Sequence, residues 1–202
     1  MKKNWDKFYS KTYSLEYLIQ NAFYHLKFFN AIWEESPKKI LEVGVGTGSM
    51  SIFFSYLGLD VTGLDNDKDI LKRVSDLTKK LNGKVKLVLG NALKLPFKSK
   101  SFDLIFHQGF LEHFEEKEII ELLWEQLRVS QTVVFSVPNN FYQKKDFGDE
   151  RLLSKAYWDK LLQTNYNLIE SQNYNPVRKT FFKGRLPYKV VQNMYFAKIT
   201  KK

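Results

Sequence analysis

The sequence predicts an α/β fold, a mostly parallel sheet with helices on both faces, and three observations carry that expectation. Strand-like and helix-like stretches alternate along most of the chain, which is the pattern of βαβ units. One strand-like run ends in glycines at alternate positions and passes directly into a helical pattern. The 202 residues, 44% apolar and 16% aromatic, show no internal repeat, low-complexity tract or compositional break. They suit one domain (1–202) that buries a sheet on both faces and are too few for two full catalytic domains.

The elements follow in order. Residues 1–36 read as a helical lead-in, because Leu15, Leu18, Ile19, Ala22, Phe23, Leu26 and Phe29 recur at spacings of three and four. Residues 37–142 read as the core. Its first strand runs from Lys39 to Gly44, and its glycine turn opens a helix from Ser49 to Leu57. Gly58 to Asp65 is the second strand, and Asp67 to Leu81 a helix with apolar Ile70, Leu71, Val74, Leu77 and Leu81. Val85 to Leu89 is the third strand and Phe102 to His107 the fourth, after a turn at Pro96 to Lys100. Glu115 to Leu127 is a helix with acids in its first turn, where the dipole favours them. Thr132 to Val137 is the fifth strand, closed by Pro138-Asn139-Asn140. Residues 143–202 hold a helix from Ser154 to Leu162, a strand from Tyr166 to Ser171, a loop from Tyr174 to Lys189 with Pro176 and Pro187, and a last strand from Met194 to Ile199.

The absence of cysteine excludes a disulfide framework, a thiolate metal site and a cysteine nucleophile, and fits an intracellular chain. Nowhere do 18 apolar residues run together and no apolar segment follows Met1, so the expectation is a soluble, cytoplasmic protein with no membrane span. The net charge of +10 is uneven: residues 1–140 carry net +2 and residues 141–202 net +8. A basic third can attract an anionic acceptor such as RNA, but the same excess serves as an ordinary solubilising surface.

The informative segment is Leu41-Glu42-Val43-Gly44-Val45-Gly46-Thr47-Gly48-Ser49. Gly44, Gly46 and Gly48 let the chain turn tightly and let a ligand approach where a Cβ would intrude. A dinucleotide fingerprint would need glycine at 49, where Ser49 stands, and no Gly-Lys-Ser/Thr follows for a phosphate loop. Glu42 disfavours a pyrophosphate and suits a ligand carrying an ammonium and a sulfonium, as adenosylmethionine does. Asp65 ends the second strand, where an acid accepts hydrogen bonds from ribose hydroxyls. Asp67 is the better fit for a helix N-cap. Asn91 can reach the adenine amine, and Ala92 leaves room for the ring.

In order, LEVGVGTGS, GLDND, GNALKLPF, FDLIFHQGFLEHF and FSVPNN resemble the successive motifs of class I S-adenosylmethionine-dependent methyltransferases of the small-molecule, ubiquinone-biosynthesis-like type, over roughly residues 37–142. The resemblance implies a Rossmann-like seven-stranded sheet in the order 3-2-1-4-5-7-6 with the last strand antiparallel. The cofactor would lie at the switch point between strands one and four. Carried over, Glu42, Gly44, Gly46 and Gly48 border the methionine part, with Gln108 lining that side. Asp65, with Asn66 after it, holds the ribose, and Asn91 and Ala92 flank adenine. Two features depart from the pattern. Position 91 is usually Asp, and Arg128-Val129-Ser130-Gln131 replaces a glycine-rich turn before the fifth strand.

Glu112-His113 matches the family's Leu-Glu-His, and His113 is the candidate general base for a hydroxyl acceptor. His25 and His107 do not pair with carboxylates at ligand spacing, and no metal is expected. Tyr9 and Tyr13 are placed to close over the cofactor, as that segment does in the family. The expected function is methyl transfer from S-adenosyl-L-methionine by in-line displacement to a small-molecule acceptor. The rivals are an RNA-directed methyltransferase and a catalytically silent binder of RNA or a partner, each using the basic third with its aromatic and cationic loop.

Overall fold

Strand residues point alternately to opposite faces, and here each face meets a different hydrophobic layer. The computed structural model describes residues 14–143, 148–180 and 188–202. Along the chain it has helices α1 (Leu15–Tyr24) and α2 (Leu26–Trp33), strand β1 (Lys39–Val43), α3 (Ser49–Tyr56), β2 (Asp60–Asp65), α4 (Lys68–Lys80), β3 (Val85–Leu89) and β4 (Phe102–Gln108). A short 3-10 turn at Leu111–His113, α5 (Glu116–Val129), β5 (Ser130–Pro138), α6 (Lys155–Asn165), β6 (Asn167–Thr180) and β7 (Tyr188–Thr200) follow. The seven strands form one sheet in the order β3-β2-β1-β4-β5-β7-β6. The first five pair in parallel, and β7 runs antiparallel to both β5 and β6. This is the Rossmann-like topology expected.

Leu41, Val43, Ile105, Val133 and Phe135 pack under α5 and α6, against Ile119, Leu122, Leu123, Trp158 and Leu162. The intervening residues Ile40, Leu104, Phe106 and Val134 face Phe28, Phe29 and Ile32 of α2 and Met50 and Phe54 of α3. Burying each such side chain is worth about 1.5–3 kcal/mol, so both layers hold the sheet. Glu42 shares the parity of Ile40 and therefore lies on the α3 side. Asp67 caps α4 as read from sequence, its Oδ1 accepting from Asp69 N (2.8 Å).

Three elements differ from expectation. The lead-in is not one helix: it breaks at His25 (φ −107°, ψ 24°), which caps α1 and precedes α2. The stretch from Tyr174 to Lys189 is not a loop where it is described. β6 and β7 pair as far as Thr180 and Tyr188, and Pro176 is tolerated because β6 is an edge strand. Residues 181–187, with Phe181, Phe182, Lys183, Arg185 and Pro187, lie outside the described residues. Finally, α5 runs straight into β5 at Val129–Ser130. No glycine turn is needed because Arg128 holds the junction, donating to Phe97 O (3.0 Å), Leu95 O (3.2 Å) and Glu125 Oε1 (2.7 Å). Among the described residues no helix is long and apolar enough to cross a membrane.

Candidate functional site

Gly44, Gly46 and Gly48 all adopt positive φ (68°, 49° and 70°), which L side chains rarely take. A Cβ at Gly44 would stand 2.7 Å from the Phe110 ring, and one at Gly48 would stand 2.5 Å from Val74 Cγ1. Both glycines thus let the protein close on itself as well as let a ligand in. Gly44 admits Phe110 to the turn, and Gly48 admits Val74 of α4 to the start of α3.

Two adjoining cavities open at the carboxyl ends of β1 and β4. One, of about 340 Å³, is lined by Asp65, Asn66, Asn91, Ala92, Ile70 and Phe110 among others. The other, of about 260 Å³, is lined by Glu42, Gln108, Glu112, Tyr17, Tyr24 and Tyr142 among others. Gly44, Gly46, Gly109 and His113 line both. The sequence-predicted residues are thus divided by cavity, with the turn and His113 at the join. Gly48 lines neither cavity, and Tyr9 and Tyr13 lie outside the described residues.

The acids are not simple surface carboxylates. Burial pushes Glu42 up to about 8, against the hydrogen bond it accepts from Ser51 Oγ (2.5 Å), so without a cation beside it the group is largely protonated at pH 7. Burial also raises Asp65, while Oδ1 accepts from Asp67 N (3.1 Å) and Oδ2 from Gly46 N (3.4 Å). Asn91 spends its Oδ1 on Leu93 N (2.9 Å) in its own turn. Its Nδ2 amide is the end left to a ligand, so this side chain offers a donor rather than the acceptor an Asp would present.

His113 Nδ1 lies 3.0 Å from Asp149 Oδ1, with the imidazole almost buried. Asp149 escaped the sequence reading; the available signal was an acid pair, Asp149-Glu150, in the otherwise basic third. His25 was passed over as well. It is buried, lines the second cavity beside Gln108, and bonds both Gln108 and Tyr174, yet in sequence it is one polar residue in an amphipathic helix. His107 sits in the core between Phe110 and Phe135, held neutral by burial with its pKa lowered to about 3. Among the described residues no cluster of three or more acids or histidines is arranged to hold a metal.

A family model described as a methyltransferase domain matches residues 40–132. Norajmaline N-methyltransferase of Rauvolfia serpentina is 30% identical over 110 residues, 52% of this chain and 37% of that protein. The mitochondrial ubiquinone biosynthesis O-methyltransferase of Schizosaccharomyces pombe is 29% identical over 121 residues, 55% of this chain and 43% of that protein. The matched stretch therefore spans about two fifths of these curated relatives. In fold, the chain is similar to a crystal structure of a Pyrococcus horikoshii OT3 protein, at TM-score 0.73 and 17% identity over 97% of this chain and 99% of that one. It is also similar to magnesium protoporphyrin IX methyltransferase of Synechocystis PCC 6803 with bound SAM, at TM-score 0.64 and 13% identity over 98% of this chain and 89% of that one. With the motif order, the strand order and these likenesses together, the chain is similar to class I S-adenosylmethionine-dependent methyltransferases in fold, and to methyltransferase domains in sequence over residues 40–132.

Proposed function

We propose that this chain binds S-adenosylmethionine and transfers its methyl group to a small-molecule acceptor. The observation that carries the reading is the pair of joined cavities at the switch point of the sheet, one with an acid and an amide suited to a nucleoside, the other with an acid and an amide suited to an amino-acid end. The donor set fits the cofactor. Asp65 accepts from ribose hydroxyls, Asn66 lies beside it, and Asn91 donates through Nδ2 to an adenine ring nitrogen. Ala92 and Phe110 wall the ring. Glu42 and Gln108 meet the ammonium side, and Gly44 and Gly46 leave room for the ligand between them.

When bound, the cofactor supplies a methyl already activated on a sulfonium. What remains for the chain is positioning, exclusion of water and, for a hydroxyl acceptor, removal of one proton. His113 suits that task. With the Asp149 carboxylate accepting from Nδ1–H, the Nε2 lone pair is the basic end, and such a base contributes about 10²-fold or more. The relatives named above act on small molecules, and this supports a small acceptor over RNA.

Calorimetry with S-adenosylhomocysteine and with NAD tests the reading, the first expected to bind and the second not. Asp65→Ala should weaken the homocysteine form at least tenfold with little change in the ligand-free melting temperature, since a hydrogen bond to a charged group is worth roughly 1.5–3 kcal/mol. Heat from NAD alone would overturn the proposal.

A further inference from the structure

The break in the lead-in puts one imidazole at the centre of a buried file of hydrogen bonds. His25 Nε2 lies 2.7 Å from Gln108 Nε2, His25 Nδ1 lies 2.7 Å from Tyr174 Oη, and Tyr174 Oη lies 2.6 Å from Ser136 Oγ. The four residues come from the lead-in, β4, β6 and β5, and all but Gln108 are buried or nearly so. An amide nitrogen can only donate, so His25 Nε2 accepts. A neutral imidazole then carries its hydrogen on Nδ1 and donates to Tyr174, whose hydroxyl shares a hydrogen bond with Ser136. Burial keeps the ring neutral, its pKa lowered to about 3, so it does not shuttle charge at physiological pH. Gln108 and His25 both line the 260 Å³ cavity.

We propose that His25 is a positioning residue for this cavity, one whose tautomer holds the Gln108 amide with Nε2 against the imidazole and Oε1 as the end left to accept from a bound ligand. The proposal rests on the methyltransferase reading for the identity of that ligand, an ammonium or another N–H or O–H group. The two ends of an amide are nearly equal in size, so sterics alone do not choose between them. The imidazole does. Turning the amide alone would set Oε1 against the Nε2 lone pair, and relieving that contact requires the tautomer and the Tyr174 hydroxyl to turn with it. A cation entering the cavity thus meets a carbonyl oxygen already in place, and the cost of orienting it has been met in folding.

The test combines a mutant cycle with nitrogen-15 spectra of the histidines. By calorimetry with S-adenosylhomocysteine, Gln108→Ala and His25→Phe should each weaken binding about tenfold, and the double variant should be no weaker than Gln108→Ala alone. Tyr174→Phe removes one hydroxyl and leaves the packing, so it keeps the test open if His25→Phe does not fold. It should weaken binding about threefold, and not at all on the Gln108→Ala background. In the spectra, His25 of the wild-type protein should be a single Nδ1–H tautomer from pH 5 to 9, and Tyr174→Phe should show a tautomer mixture. Losses that add independently to that of Gln108→Ala, or a mixed tautomer in the wild type, would overturn the positioning role. If the wild type failed to bind the ligand at all, the methyltransferase reading would fall, and the tautomer spectra alone would still decide the role of His25.

Discussion

Glu42 and Asp65 come from neighbouring strand ends of one site, and burial treats both as liabilities until a ligand arrives. For Glu42 the sign follows from its raised pKa: its contribution to stability is fully present below its unfolded value of 4.5 and is lost as pH rises through about 8. Glu42→Gln keeps the hydrogen-bonding shape without that loss. In the ligand-free state the wild type should therefore lose stability from pH 5 to 9 relative to Glu42→Gln, the variant ending more stable by roughly 1–3 kcal/mol. Affinity for S-adenosylhomocysteine should move the other way, weaker in the variant throughout. Parallel denaturation curves for the two proteins across that range would show that Glu42 is ionised before the ligand binds. The presence of an acid at 42 was legible in the sequence; its protonation was not, because that depends on Ser51 of α3 and on the layer packed around it.

Between elements, the junctions carry what the local pattern does not. The helix-to-strand passage at Val129–Ser130 lacks the expected glycine turn, and one guanidinium tied to two carbonyls and a carboxylate holds it. The Arg128 side chain is 39% exposed, so its ion pair with Glu125 counts for little by itself. The two carbonyl bonds count for more. Arg128→Ala should cost roughly 1–2 kcal/mol, or about 2–8 °C in melting temperature. Arg128→Lys should recover less than half, since one ammonium does not reproduce the planar fork. Full recovery by lysine, measured by thermal denaturation, would mean that charge and not geometry holds the junction. The paired stretch from Tyr174 outward was misread for a related reason. Pro176 and interleaved cations look like loop in isolation, and only the partner strand Tyr188–Thr200 makes an edge strand of them.

Across the whole molecule, the positive excess is concentrated in residues 141–202, yet part of it is consumed internally. Lys198 pairs with Glu35 (2.7 Å) and Glu170 (3.5 Å), Lys155 with Asp159, and Arg151 with Glu115 (3.3 Å). The Glu35 pair ties the C-terminal part to the lead-in and the Glu115 pair ties it to the start of α5, the other two lie within that part, and all four leave fewer cations for phosphate. RNA binding should accordingly be weak and non-specific. Neutralising Lys179, Lys183, Arg185 and Lys189 together should flatten its salt dependence by up to about 3 in slope, at about 0.7 per phosphate contact on single strands. Affinity for S-adenosylhomocysteine should stay unchanged. Stoichiometric methylation of a single RNA site by the wild type, abolished in the four-residue variant, would reverse the choice of acceptor class.

By itself the sequence determined the α/β class, through the alternation of strand-like and helix-like stretches, and the resemblance carried by its motifs implied the strand order. It also marked Glu42, Asp65, Asn66, Asn91, Ala92 and Gln108 as one constellation. Each of these is a local fact, a residue in a strand, at its end or in the turn that follows, and the resemblance is what grouped the four strand ends. The tertiary structure decided what depends on distant partners. It set Asp149 beside His113 across 36 residues and joined His25 to Gln108 across 83 and to Tyr174 across 149. No periodicity encodes such pairs, because a hydrogen bond between elements is chosen by how the layers stack and not by the spacing within either one.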